Sequence, residues 1–284
     1  MFRHTLHIVT CCLILLSAAC SPKHKAEGGE SGLRVMSFNV RYTGERETDG
    51  DNHWDWRRAA SINMVREERP AVMGVQEALA PQLQFLDENL PEYGYVGVGR
   101  DDGKSAGEHM AIFYLKEAVE LENWGTFWLS QTPDQVTMGW DAVCYRTCTW
   151  ALMRDKATGK QFAMLNTHLD HRGEQAREQS IILIVNRIKE IVPEGTPLFL
   201  TGDFNSTTDS EIYAPLKAVA EDAREVAAQS DRRGTFNGWG KASSVIDHIF
   251  VRGVEVDSFK VLCDKNYGAP YISDHYPVVA DVRF

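Results

Sequence analysis

A layered α/β domain, with two β-sheets packed face to face and helices outside, is the architecture this sequence predicts, and three observations carry it. An apolar strand, an amphipathic helix and a second buried strand open the ordered part of the chain. A long run of short strands with few helices follows. Polar residues then recur at strand ends, where burying them is costly unless they share one pocket.

Taken in order, residues 33–40 alternate and read as a strand, 56–68 as an amphipathic helix, and 71–76 as a buried strand beginning after Pro70. Residues 81–90 read as a second helix, and 95–98, 109–115, 121–127 and 143–153 as strands. Residues 162–167 form a further strand. A long helix over 177–192 presents Ile181, Ile184, Val185 and Ile188 on one face and is stopped by Pro193. Strands at 198–201, 245–251, 257–262 and 278–282 complete the set.

The N-terminus reads differently. Residues 1–19 carry Arg3, an apolar run over 8–16 and small residues before Cys20, the pattern of an export signal too short to remain as a spanning helix. Leu16-Ser17-Ala18-Ala19-Cys20 resembles a bacterial lipobox, with Ser17 where Leu is usual, so Cys20 is expected to carry lipid. Residues 20–31 are polar and Gly-rich, as a flexible tether would be, and 32–284 fit one domain. The expected location is outside the cytoplasm, periplasmic or at the cell surface. With the signal removed, 29 basic residues face 40 acidic ones, a net charge of −11, which opposes tight nonspecific binding of polyanions.

Three cysteines follow the tether: Cys144, Cys148 and Cys263. Cys144 and Cys148 fall in one expected strand about 13 Å apart and cannot bridge each other. Cys263 has the reach to pair with either, but an odd count and a large core favour buried thiols. No Cys/His spacing matches a zinc site.

The polar clusters are Phe38-Asn39, Gln76-Glu77, Asn166-Thr167-His168, Gly202-Asp203-Phe204-Asn205, Val245-Ile246-Asp247-His248 and Ser273-Asp274-His275, each expected at a strand end. Residues two apart on a strand share a face, so Asn166 with His168, and Asp203 with Asn205 if the strand continues, would point together. These motifs, in this order, resemble the endonuclease/exonuclease/phosphatase family, which includes DNase I, apurinic endonucleases, sphingomyelinases and inositol phosphatases. The resemblance covers nearly all of 32–284. The stretches 49–57 with Trp54, and 166–177 with His171, resemble a secreted bacterial branch. It implies a DNase I-like four-layer α/β sandwich and metal-dependent phosphoester hydrolysis.

The chemistry also follows from residue types. Glu77, with Asn39 and Asp274, offers the hard oxygen ligands that suit Mg²⁺ or Mn²⁺. An N-cap is the alternative role for Glu77, at greater desolvation cost. His275 is the candidate general base, with Asp247 fixing its tautomer. His168 is a candidate general acid or phosphate ligand. Glu108 is its partner by resemblance, since Glu108-His109-Met110-Ala111-Ile112-Phe113 is similar to the family's corresponding strand. Asp203 and Asn205 would position water and a phosphoryl oxygen, with the proton-removing role open between Asp203 and His275. Arg41, His171 and Arg177 are candidate phosphate contacts. His248 is ambiguous, and tryptophans such as Trp54, Trp56, Trp128 and Trp140 belong by default to core packing.

The leading expectation is thus an exported Mg²⁺-dependent phosphodiesterase acting by in-line attack of water. A phosphomonoesterase of sugar, inositol or nucleotide phosphates is the alternative, and a noncatalytic glycan- or lipid-binding protein a remote third. Nucleic acid, phospholipid and small phosphate esters all stay open as substrates, and no protein partner is implied.

Overall fold

The computed structural model describes Met1 and residues 32–44 and 49–284. Apart from Met1, the expected signal, tether and lipid-bearing Cys20 lie outside the described residues.

Strand β1 (Gly32–Asn39) leads through helix α1 (Trp54–Glu68) to β2 (Val72–Ala78), and helix α2 (Ala80–Asn89) precedes β3 (Tyr93–Val96) and β4 (His109–Leu115). Strands β5 (Val119–Trp128), β6 (Thr147–Asp155) and β7 (Gln161–His168) follow, then helix α3 (Glu174–Ile191) and β8 (Leu198–Asp203). After the short helix α4 (Ala214–Lys217), β9 (Glu221–Asp222), helix α5 (Ala223–Val226) and β10 (Gln229–Ser230), the chain ends with β11 (Asp247–Arg252), β12 (Glu255–Val261) and β13 (Val278–Arg283). One sheet has the order β10-β12-β13-β1-β2-β4-β3 and the other β5-β6-β7-β8-β11-β9.

Strand alternation divides the core into three layers of side chains. On β1, Leu33 and Val35 pack between the sheets with Met164, Phe199 and Ile249. Met36 and Phe38 turn outward to meet Ile62, Val65, Leu83 and Leu86 of α1 and α2. On the far side, Ile181, Ile184, Val185 and Ile188 of α3 cover Leu165, Leu198 and Leu200. Helix, sheet, sheet, helix is the four-layer sandwich expected from the sequence.

At one end of the inter-sheet layer the packing becomes polar. Gln76 Nε2 donates across the gap to Asn166 Oδ1 at 2.6 Å, and Thr201 Oγ1 donates to the same oxygen at 3.1 Å. Asn166 Nδ2 donates to the carbonyls of Val75 and Ala111 at 2.8 and 2.9 Å. Gly74 makes room for this bridge: a Cβ there would lie 2.0 Å from Thr201 Oγ1 and 2.6 Å from Asn166 Oδ1.

Several expectations need correction. Strand β6 begins at Thr147, so Cys144 lies in the preceding turn and not beside Cys148 in one strand. All three described cysteines are free, but only Cys148 is fully buried. Trp54 and Trp128 are core residues, whereas Trp56 is 64% exposed. Asp247 begins its strand instead of ending it, and reaches the same edge as Asp203 because β11 runs antiparallel to β8.

Gly74→Ala should destabilise the protein by about 2–3 kcal/mol, because the bridge atoms sit in a close-packed interior with no space to retreat. Urea unfolding of both proteins measures the difference.

Candidate active site

The functional side chains gather where β1, β2, β7 and β8 end, and the sheet partners β11 and β13 begin nearby. Asn39 closes β1 and ties the sheets together, its Nδ2 donating to Glu77 Oε1 and to Asp203 Oδ2, both at 3.0 Å. Its Oδ1 accepts the Arg41 N–H at 2.9 Å.

Glu77 arrives by a backbone irregularity. Simple alternation along β2 would send it to the helix face with Met73 and Val75. Between Val75 and Ala78 the register against β4 shifts, and Glu77 itself adopts φ +66°. Such a bulge re-aims a side chain, and here the carboxylate meets Asn39 and the N–H of Tyr42, the latter at 3.0 Å. The N-cap of α2 is Leu79, so Glu77 is not a cap.

His168 ends β7. Its Nε2 accepts from Asn205 Nδ2 at 3.0 Å and stands 3.4 Å from Asp203 Oδ2, leaving the proton on Nδ1, which has no partner. Burial, with Arg146 and Arg100 adding to it, holds its pKa well below the usual imidazole range. The neutral ring can donate a hydrogen bond to a phosphate oxygen but is a poor proton source, which narrows the two roles expected of it. Glu108 lies 4.0 Å from His168 Nδ1, beyond hydrogen-bond reach, because Arg100 Nη1 binds its carboxylate at 2.5 Å. Asn205 does not continue β8: the strand stops at Asp203, and Asn205 turns back at φ +48° with its N–H on Asp203 Oδ1 at 3.0 Å.

His275 donates from Nδ1 to Asp247 Oδ2 at 2.9 Å, so its Nε2 faces the pocket, 3.6 Å from Asp203 Oδ2. Burial alone would lower its pKa, but Asp247 and Asp203 outweigh this and push it up to about 10. The two carboxylates thus favour the protonated ring, which the simple expectation of a neutral base leaves out of account.

The remaining candidates divide. Asp274 lies 3.9 Å from Arg41 Nε, and Arg41 Nη2 pairs with Asp49 at 3.3 Å, so both belong to the site. His171 stands at its rim, Nδ1 accepting from Arg146 Nη2 at 3.1 Å. Arg177 does not join: α3 starts at Glu174, and Arg177 Nη1 turns to the Asp170 carbonyl, in a separate surface depression beside Ser206 and Glu211. His248 is buried on Asp222 at 2.8 Å and packs on Phe204 and Phe250, a structural role. Sequence reasoning missed Arg100, Arg146 and Tyr42, which line the pocket from irregular segments without a motif. It also missed Arg57, fully buried in α1, whose guanidinium donates to the carbonyls of Asn52, Val40, Arg41 and Ile272. Arg57 thereby fastens the segments bearing Arg41 and Asp274.

Arg41, Glu77, Glu108, His168, Asp203 and His275 are among the residues that line a half-open cavity of about 630 Å³. Its floor is acidic. Burial, reinforced by neighbouring carboxylates, pushes Asp203 and Glu108 each up to about 7 and raises Asp274. Glu77 goes the other way: burial opposes ionisation, but Asn39 Nδ2, His275 and the Tyr42 N–H keep its pKa low. An ionised Glu77 beside crowded oxygen donors suits a hard divalent cation, and Glu77, His168 and Asp203 bring three ligand atoms within 4.8 Å of one another. The cavity wall carries the unpartnered N–H groups of arginines, which suit an anion.

An acidic floor that calls for a metal beneath a wall that calls for an anion defines a metal-dependent phosphoester hydrolase. The chain belongs to the Endonuclease/Exonuclease/phosphatase family, which it matches over residues 36–275. It is similar to a Bacteroides vulgatus endonuclease/exonuclease/phosphatase, 41% identical, with a TM-score of 0.84 over 90% of this chain and 100% of that one. A Bacteroides thetaiotaomicron mannosyl-6-phosphatase is 37% identical, also with a TM-score of 0.84, over 89% and 100% of the two chains. An uncharacterized protein of Acanthamoeba polyphaga mimivirus is 26% identical over 268 residues, 87% of this chain and 98% of that one.

Two outcomes follow. Arg57→Met leaves four carbonyls without their donor and should cost about 3–5 kcal/mol in denaturant unfolding, with activity lost even in the folded fraction. In EDTA, the His275 contribution to stability is complete below its unfolded pKa near 6.5 and is lost as pH rises through about 10, because the folded value is the higher one. The unfolding free energies of wild type and His275→Gln should therefore converge between pH 7 and 10, and a constant gap would refute the His275–Asp247 pairing.

Proposed function

We propose that this protein is an exported, Mg²⁺-dependent phosphomonoesterase acting on small phosphorylated substrates, with sugar phosphates first among them. The observation that carries the reading is a half-open pocket of about 630 Å³, lined by Arg41, Arg100 and Arg146. That volume suits one small ligand, and three guanidinium groups on the wall suit the dianionic phosphate of a monoester better than the single charge of a diester. The similarity to a mannosyl-6-phosphatase supports it. This reading reverses the order expected from sequence, where the diesterase led.

In this mechanism Glu77, Asn39 and Asp274 hold the cation, and their all-oxygen chemistry favours Mg²⁺ or Mn²⁺. Bound there, the cation would supply positive charge that screens the phosphate oxygens and would lower the proton affinity of nearby His275. The Asp203–His275 pair, 3.6 Å apart, takes the proton of the attacking water as a coupled unit, with Asp247 holding the ring. His168 lines the cavity beside the phosphate, its ring fixed by Asn205 at Nε2. Glu108 braces Arg100. Arg41 offsets Asp274, and His171 orients Arg146. Residues 1–19 direct export, residues 20–31 tether the domain through lipid on Cys20, and 32–284 form the catalytic domain.

The test is turnover of hexose 6-phosphates, nucleotides, sphingomyelin and plasmid DNA by the purified protein in Mg²⁺ and in EDTA. Metal-dependent release of phosphate from sugar phosphates should fall at least about 1,000-fold in His275→Ala, and Glu77→Gln should shift the Mg²⁺ requirement upward by about tenfold or more. Efficient cleavage of DNA or sphingomyelin with no phosphate release from monoesters would overturn the reading.

A further inference from the structure

Arg146 directly precedes β6, and its side chain is 5% exposed, yet only one of its nitrogens is satisfied. Nη2 donates to His171 Nδ1 at 3.1 Å, while Nε and Nη1 are buried without a hydrogen-bond partner. Asp170 Oδ2 lies 3.6 Å from Nε but accepts instead from the Val143 N–H at 3.1 Å and the Cys144 thiol at 3.5 Å. Arg100, in the connection between β3 and β4, repeats the pattern. Its Nη1 binds Glu108, and its Nε is buried and unpartnered, 3.7 Å from Asp101.

Leaving buried guanidinium N–H groups without a full hydrogen bond is costly, so these two arginines, both of which line the cavity, are suited to an acceptor that arrives with the substrate. Cys144, Asp170 and His171 offer three metal-ligand atoms within 4.8 Å of one another nearby. The Arg146 guanidinium between them opposes a cation there and favours an anion. Arg41 differs from this pair, because Asp49, Asp274 and Glu77 surround it and use its charge.

We propose that Arg100 and Arg146 form the subsite for the second negative charge of a phosphomonoester and so select monoesters over diesters. The proposal rests on the monoesterase reading above and assigns its specificity to two residues. A monoester presents three non-bridging oxygens sharing nearly two charges at neutral pH. A diester replaces one of them with an alkoxy group, which turns a weakly accepting oxygen and a carbon toward donors that have no other partner. Sites built to satisfy buried donors reject ligands that cannot do so more strongly than apolar pockets reject an extra methyl.

The experiment compares kcat/KM for p-nitrophenyl phosphate and methyl p-nitrophenyl phosphate, with Mg²⁺, in wild type, Arg146→Gln, Arg100→Gln and Arg146→Lys. In the Gln variants the monoester-to-diester ratio should fall about 10- to 100-fold, and competitive inhibition by inorganic phosphate should weaken by a similar factor. Arg146→Lys keeps the charge without the fork and should recover part of the ratio. Should Arg146→Gln not fold, Arg100→Gln and Arg146→Lys carry the same comparison. A wild type that prefers the monoester, with a ratio unmoved in the variants, overturns the arginine assignment alone. A wild type that prefers the diester overturns the monoesterase reading and the assignment with it.

Discussion

The contact on which the site depends is the buried amide bridge between the sheets, from Gln76 on β2 to Asn166 on β7, with Thr201 of β8 on the same oxygen. Hydrophobic packing between sheets tolerates small sliding, but hydrogen bonds in a dry interior do not, since a misplaced amide loses its partner outright. The bridge therefore sets how the carboxyl ends of β1 and β2 face those of β7 and β8. One layer further out, Asn39 spans the same gap to Asp203. Glu77, His168 and Asp203 meet because the strands beneath them are locked in register.

The bridge positions groups that resist being together. Glu77, Asp203, Asp247 and Asp274 are all buried, and the carboxylates around His275 raise its proton affinity. A divalent cation held among these carboxylates would relieve the same crowding. Metal dependence in this fold is thus part of the charge balance of the floor as well as a source of catalytic charge. The wall solves the opposite problem, holding Arg100 and Arg146 with donors to spare for the phosphate.

Much of this was legible in the sequence. Apolar alternation placed the main strands and the three long helices, and His275, Asp247, His168, Asp203 and Asn39 converge as their motifs implied. What could not be read came from irregular backbone. The bulge that turns Glu77 into the pocket leaves no mark in residue pattern, because alternation assigns that position to the opposite face. Asn205 reaches His168 through a left-handed turn, not along a continuing strand. Arg100 and Arg146 come from loops, where neither period nor spacing constrains direction. Arg177 misled because it lies a turn inside the helix instead of opening it, and its side chain reaches back to the Asp170 carbonyl. Arg57 looked like an ordinary surface charge on an amphipathic helix, and its burial became visible only once four carbonyls surrounded it.

One cavity is expected to hold a divalent cation on its acidic floor and a phosphate against its arginine wall. Crystals grown with Mn²⁺ and inorganic phosphate test it directly through anomalous scattering. The account predicts a manganese peak in contact with Glu77, with phosphate density between it and the guanidinium groups of Arg100 and Arg146. A peak confined to Cys144, Asp170 and His171, or phosphate bound away from both arginines, would contradict it.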